Sequence, residues 1–165
     1  MGDRHDHDRL CNDHRDHDAF ADANSRSNAF ERTASTVSVI PDSHLDLLTR
    51  PLFGHLATER ADGWPQVNPM WFTWDGTLLR FTGTTTRYKY TNIMRNPKVT
   101  VSVNDPESPY RYLEVRGTVV NIVPDDSGIF FAEIAARYGL PMDGPPSDVL
   151  DRVVYVVRPD RTTSQ

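Results

Sequence analysis

An arginine and a lysine two residues apart open the helical stretch in TTTRYKYTNIMRNPKV, Thr84 to Val99. Arg87 and Lys89 fall beside a predicted helix N-terminus, where unpaired backbone N–H groups and the helix dipole already favour an anion. A guanidinium grips phosphate oxygens in pairs and an ammonium adds a point charge, so the two together suit a phosphate clamp. Two cations at a positive helix end cost roughly 0.3–1 kcal/mol each if nothing anionic compensates. The bland alternative is two solvated charges on a surface helix.

Two further stretches carry chemistry-bearing residues. In PQVNPMWF, Gln66 to Met70 has strand character, yet Pro69 cannot donate to a ladder. That strand must be an edge, or open locally, and a freed edge can offer backbone groups to a flat heterocycle. The plainer reading is an edge strand running into a core cluster of Trp71, Phe72 and Trp74. In SPYRYLEVRG, Tyr110, Arg111 and Tyr112 follow a Pro-containing loop and lead into a strand. Their rings and guanidinium suit stacking, pairing with acids or an interface. No Gly-rich phosphate loop, G-x-S-x-G elbow or H-E-x-x-H zinc helix occurs. His44 and His55 stand alone and read as structural.

The elements that must hold these residues are short and β-rich. PDSHLDLL predicts a short helix capped by Asp42 or Ser43. FGHLATER, QVNPMWFTW and LLRFTGTT then form a meander with Asp-Gly turns between the runs. Thr84, Thr85 and Thr86 offer N-cap hydroxyls to the next helix, whose Tyr90, Ile93 and Met94 share a face for burial; Asn96-Pro97 ends it. KVTVSVND and RYLEVRGTVVNIV alternate apolar and polar residues as half-buried strands do. Phe130, Phe131, Ile134, Ala135 and Tyr138 recur at helical spacing, and RVVYVVRP is a last strand. The expectation is a mainly β domain: a six-stranded antiparallel barrel with short helices.

Composition bounds the rest. The 165 residues suit one domain, and a net charge of −5 gives no reason to expect a nucleic-acid surface. The single cysteine, Cys11, allows no intramolecular disulfide, and no apolar run reaches the roughly 20 residues that cross a bilayer. A soluble, cytoplasmic protein is expected, without nucleic-acid or membrane partners. Residues 1–40 are poor in aliphatics and rich in Asp, His and Arg, and read as a disordered tail before a domain at 41–165. His5, His7, His14 and His17 could bind a divalent ion loosely, but a solvated low-complexity tail is the simpler reading, and no metal site is assigned.

GHLATERADGWPQVNPMWFTWDG, RYKYTNIMRNPKV and PYRYLEVRGTV together resemble the split β-barrel flavin and deazaflavin oxidoreductases that include pyridoxamine-phosphate oxidase. The likeness is greatest to the actinobacterial branch that uses coenzyme F420. The resemblance implies a homodimer with two cofactor sites at its interface and a small-molecule substrate. It implies that Arg87 and Lys89, helped by Asn92, hold the cofactor phosphate. The ring would lie along Gln66, Val67, Asn68, Pro69 and Met70, with Thr82, Gly83 and Thr84 beside the ribityl chain. Tyr110, Arg111 and Tyr112 would reach in from the other subunit. It further implies F420-dependent hydride transfer to a conjugated organic substrate. The alternatives are an FMN-dependent oxidase or reductase of the same fold and a non-catalytic flavin-, deazaflavin- or haem-binding protein.

Overall fold

The computed structural model describes residues 39–165. The tail expected over residues 1–40, with its four histidines and Cys11, therefore lies outside the described residues except for Val39 and Ile40. Ile40 is buried in the main core.

Seven strands form one antiparallel sheet: β1 (Gly54–Glu59), β2 (Pro65–Met70), β3 (Phe72–Trp74), β4 (Leu79–Thr84), β5 (Lys98–Asn104), β6 (Tyr112–Pro124) and β7 (Arg152–Ser164). Their spatial order is β2-β1-β5-β6-β7-β4-β3. The mainly β, antiparallel architecture matches the expectation, but the strand count is seven where the sequence suggested six. The run QVNPMWFTW splits at Trp71. Met70 pairs with Gly54 of β1, whereas Phe72 pairs with Phe81 of β4, so one residue carries the chain from one edge of the sheet to the other. Consecutive Cα atoms are about 3.8 Å apart, so the two edges must come together and the sheet curls into a barrel whose seam is covalent.

The barrel interior explains the alternation. Leu56, Val99, Val101, Val103, Leu113, Val115, Phe81, Tyr155 and Val157 all point into one buried cluster with Phe72. Long strands β6 and β7 bend at register shifts between Arg116 and Gly117 and between Val119 and Asn121. At the first shift a Cβ on residue 117 would stand 2.6 Å from the carbonyl oxygen of Arg158, so the close approach of β7 requires glycine. Asp62 and Asp75 brace the two Asp-Gly turns through their carboxylates, and Gly63 and Gly76 take the positive φ the turns need.

Three short helices decorate the barrel: α1 (Asp46–Thr49), α2 (Tyr88–Arg95) and α3 (Ile129–Arg137). PDSHLDLL is a 3-10 turn at Asp42–His44 followed by α1, and neither Asp42 nor Ser43 caps it with a side chain. Ser43 Oγ instead meets His44 Nδ1, and His44 Nε2 reaches the Gln165 carbonyl, a structural use of that histidine. Arg137 at the end of α3 donates to the carbonyls of Thr49 (2.9 Å) and Arg50 (2.8 Å), which satisfies the C-terminal end of α1. Among the described residues no helix is long and apolar enough to cross a membrane, and no group of His, Cys, Asp and Glu is arranged to hold a metal.

Candidate functional site

The three threonines before α2 do not cap it. Thr84 ends β4 and its hydroxyl meets that of Thr86 at 3.1 Å, while Thr85 bonds through backbone and side chain to Asp151. Arg87 occupies the cap position without a side-chain cap bond. The Thr84 and Thr86 hydroxyls are spent on each other and Thr85 on the segment before β7; the Tyr90 N–H donates to the Arg87 carbonyl at 2.9 Å, and the Tyr88 and Lys89 N–H groups of the first turn keep no partner among the described residues.

The buried face of α2 is also different. Tyr90 packs half-buried against the core as expected, but Met94 is 62 % exposed, and the buried residues are Lys89, Asn92 and Ile93. Ile93 packs into the core. Lys89 and Asn92 enter a polar network with the side chains of β2. Asn92 Nδ2 donates to Thr58 Oγ1 (3.1 Å) and to Gln66 Oε1 (3.0 Å), Gln66 Nε2 donates to Asn68 Oδ1 (3.2 Å), and Lys89 Nζ donates to the same oxygen (2.9 Å). Alternation along β2 makes this possible, because Gln66, Asn68 and Met70 share a face. Lys89 is only 6 % exposed and has no carboxylate partner among the described residues. Burial, with the nearby Arg87 charge adding to it, pushes its ammonium down to about 8.

These residues line one crevice of about 590 Å³, which lies within the range of small-molecule sites. Gln66, Asn68, Pro69, Met70, Thr82, Gly83, Thr84, Arg87 and Lys89 all reach it. Asn92 stands behind the lining as the brace of Gln66, and Val67 is exposed without lining the crevice. Pro69 sits, as its chemistry demands, on an edge strand. At the base of the crevice Tyr155 is fully buried and its hydroxyl is raised to about 12 by desolvation. A Cβ on residue 83 would stand 2.4 Å from Cε2 of that ring, so only glycine lets β4 pass over it.

Tyr110, Arg111 and Tyr112 do not line the crevice of their own chain. Arg111 is committed to acids: it bonds Asp46 at 2.5 Å, Asp105 at 3.1 Å and the Ser43 carbonyl at 2.7 Å. The hydrogen bond from Arg111 holds the Asp46 carboxyl down at about 2, well under the usual carboxylate range. Tyr110 is 84 % exposed.

Sequence reasoning missed a second wall. Arg152 stacks its guanidinium 3.7 Å from the ring centre of Phe131. That ring lies 6.1 Å from Trp71, which lies 5.2 Å from Tyr138. Arg152 also grips Asp148 with two bonds (2.9 and 3.1 Å) and donates to Thr82 Oγ1 at 3.1 Å. The Tyr138 hydroxyl donates to the Leu52 carbonyl and accepts from the Phe72 N–H, tying α3 to the strand junction at Trp71. No local pattern joins Trp71, the α3 rings and Arg152. The available signals were the helical spacing of Phe131 and Tyr138, read only as core, and the four-residue spacing of Asp148 and Arg152.

Residues 40–165 match the family described as pyridoxamine 5'-phosphate oxidase. A solved structure named F420 reductase is similar at 57 % identity, covering 76 % of this chain and all of that one, with a TM-score of 0.74. A conserved hypothetical protein from Mycobacterium tuberculosis aligns at 24 % identity over 76 % of this chain and 84 % of its own, with a TM-score of 0.60. General Stress Protein 26 from Bacillus anthracis aligns at 24 % identity over 73 % and 93 %, with a TM-score of 0.55. These last two support the fold alone. No curated protein matches.

Proposed function

We propose that this chain, which belongs to the pyridoxamine 5'-phosphate oxidase family, is a flavin- or deazaflavin-dependent oxidoreductase whose cofactor is coenzyme F420 and whose substrate is a flat, conjugated organic molecule. The observation that carries the reading is Lys89: a nearly buried ammonium beside an open helix N-terminus, with Arg87 next to it and no carboxylate among the described residues to neutralise it. Such a site is incomplete without an anion, and the phosphate of a flavin-class cofactor fits the donor set.

When bound, such a cofactor supplies the hydride chemistry. The chain's residues hold and orient. Arg87 and Lys89 would hold the phosphate, and the Asn92–Gln66–Asn68 network fixes the side chains of the edge strand that would face the ring. Thr82, Gly83 and Thr84 would line the connecting chain, and the Trp71 ring, with Phe131 packed against it, excludes water at its side of the crevice. Solvent supplies any proton.

The similarity to a protein named F420 reductase supports the deazaflavin, while the phosphate seat by itself would serve FMN equally. Phe53, Val67 and Tyr88 leave large apolar surface exposed beside the crevice, which supports a second copy of the chain covering it as a homodimer.

Parallel fluorescence titrations with coenzyme F420 and FMN test the cofactor. Tighter binding of F420, lost on replacing Arg87 and Lys89, is expected. Tight FMN binding without F420 binding would move the assignment to FMN, and binding of either that ignores both replacements would remove the phosphate seat.

A further inference from the structure

Lys89 has a chemistry that holding a ligand does not use up. Its ammonium carries three donors, and one of them has a partner among the described residues, Asn68 Oδ1. The residue is 6 % exposed and lines the crevice, so a reagent reaches its amine from that side. Beside it stand the Arg87 guanidinium, with no hydrogen-bond or ion-pair partner among the described residues, and the open Tyr88 and Lys89 N–H groups. An amine kept from water and set next to another cation gives up its proton more readily than a free lysine, and only the unprotonated form is a nucleophile. Burial, with Arg87 adding to it, holds this one down at about 8. Lys98, the other lysine of the chain, is exposed at the start of β5 and does not line the crevice.

We infer that Lys89 is an acylation site, and that the reagent class it takes is an acyl phosphate, a phosphate joined directly to a carboxylic acyl group. This rests on the reading of the α2 end as an anion seat and not on which cofactor fills it. In an acyl phosphate the electrophilic carbon is one oxygen removed from phosphorus. Donors that hold the phosphate at Arg87 and the first turn of α2 therefore bring that carbon next to Nζ. The Nζ lone pair attacks the carbonyl carbon, a C–N bond forms, and the C–O bond to phosphate breaks. Phosphate leaves with the electron pair, and the amine's displaced proton passes to it or to solvent. Arg87 and the N–H groups meet the charge that gathers on the leaving oxygen. The product is a neutral amide whose N–H can keep the bond to Asn68 Oδ1. Acylation removes a desolvated charge and takes one of two cations from the seat, so it stabilises the free protein and shuts the seat to anions.

The full chain is treated in mildly alkaline solution with acetyl phosphate and, separately, with acetic anhydride, an acylating agent without phosphate, and peptide mass spectrometry follows acetylation at Lys89 and Lys98. Acetyl phosphate should modify Lys89 at least tenfold faster than Lys98, and acetic anhydride should prefer the exposed Lys98. Inorganic phosphate should slow the reaction of acetyl phosphate at Lys89 and not at Lys98. Arg87→Met should cut the acetyl phosphate rate at Lys89 severalfold relative to the anhydride rate. Equal rates at the two lysines with acetyl phosphate, the same Lys89-to-Lys98 ratio from both reagents, or no protection by phosphate would each overturn the inference. Thermal midpoints with and without inorganic phosphate report the seat on its own. A midpoint raised by phosphate without acetylation of Lys89 would sink the acylation site and leave the seat standing, whereas no effect of phosphate on midpoint or on acetylation would remove both.

Discussion

Lys89 Nζ lies 2.9 Å from Asn68 Oδ1, and that amide oxygen is the nearest thing to a counter-ion the described chain gives it. A neutral acceptor compensates only part of the cost of taking an ammonium out of water. The cofactor-free protein therefore stores a cost at this position that an anionic ligand would relieve.

Lys89→Met should accordingly have two effects of opposite sign. Removing the desolvated charge raises the thermal stability of the cofactor-free protein, by about 1 kcal/mol as an order of magnitude. Losing a charge-assisted contact weakens binding of a phosphate-bearing cofactor by roughly 1.5–3 kcal/mol. Differential scanning calorimetry and a ligand titration on the same preparation check both, and a fall in both quantities would contradict the account.

A pH dependence follows from the same ammonium. Its folded value of about 8 lies below its ordinary 10.5. Between those limits the unfolded chain binds more protons than the folded one, so this group makes stability rise with pH from about 8 to about 10.5. Below about 8 the charged form is carried at full cost. Phosphate binding favours the charged form, so cofactor affinity should fall as pH rises through about 8. Titrations at neutral and at mildly alkaline pH measure the drop, and Lys89→Met should lose most of it.

Gly83→Ala should destabilise the domain by about 1–3 kcal/mol, because the new methyl meets the immobile Tyr155 ring. Pairing it with Tyr155→Leu should recover part of that loss, a non-additivity readable in a double-mutant cycle of chemical denaturation.

Much of the barrel was legible because burial imposes a period of two: Val99, Val101 and Val103 are all buried, and the two Asp-Gly turns fall between strands. The jump at Trp71 was not, since both halves of that run have strand composition and only long-range pairing separates them. The charge pair at the start of α2, proposed as a phosphate seat, was legible in the sequence. Its burial was not read, although Lys89, Asn92 and Ile93 at i, i+3 and i+4 trace the inward face. Arg152 escaped because two of its three side-chain partners, Thr82 on β4 and Phe131 on α3, are distant in sequence, a relation that no local pattern encodes.

Arg111 gives a prediction on acid stability. Its hydrogen bond holds Asp46 at about 2, and Asp105 is lowered by the Glu107 N–H first, then by Arg50 and Arg111, so the stabilisation is present above the unfolded carboxylate range near 4 and is lost as pH falls toward 2. Arg111→Met should flatten that acid dependence. Thermal midpoints collected across the window check it, and an identical slope in the variant would show that the pairs contribute nothing. Tyr110→Ala, at an exposed ring that the family resemblance implies meets the other subunit, should leave these midpoints unchanged and lower dimer affinity in sedimentation.

The single-residue passage at Trp71 makes the crevice a property of chain connectivity. Every hydrogen-bonded strand pair survives if the backbone is opened between Met70 and Trp71 and the molecule circularly permuted, because β2 and β3 are not ladder partners. Nothing covalent would then pin the edge strand with Gln66 and Asn68 opposite the strand with Thr82 and Thr84. A permutant could keep its circular dichroism spectrum and still forfeit ligand binding, which makes this peptide bond a clasp for the site more than a support for the sheet.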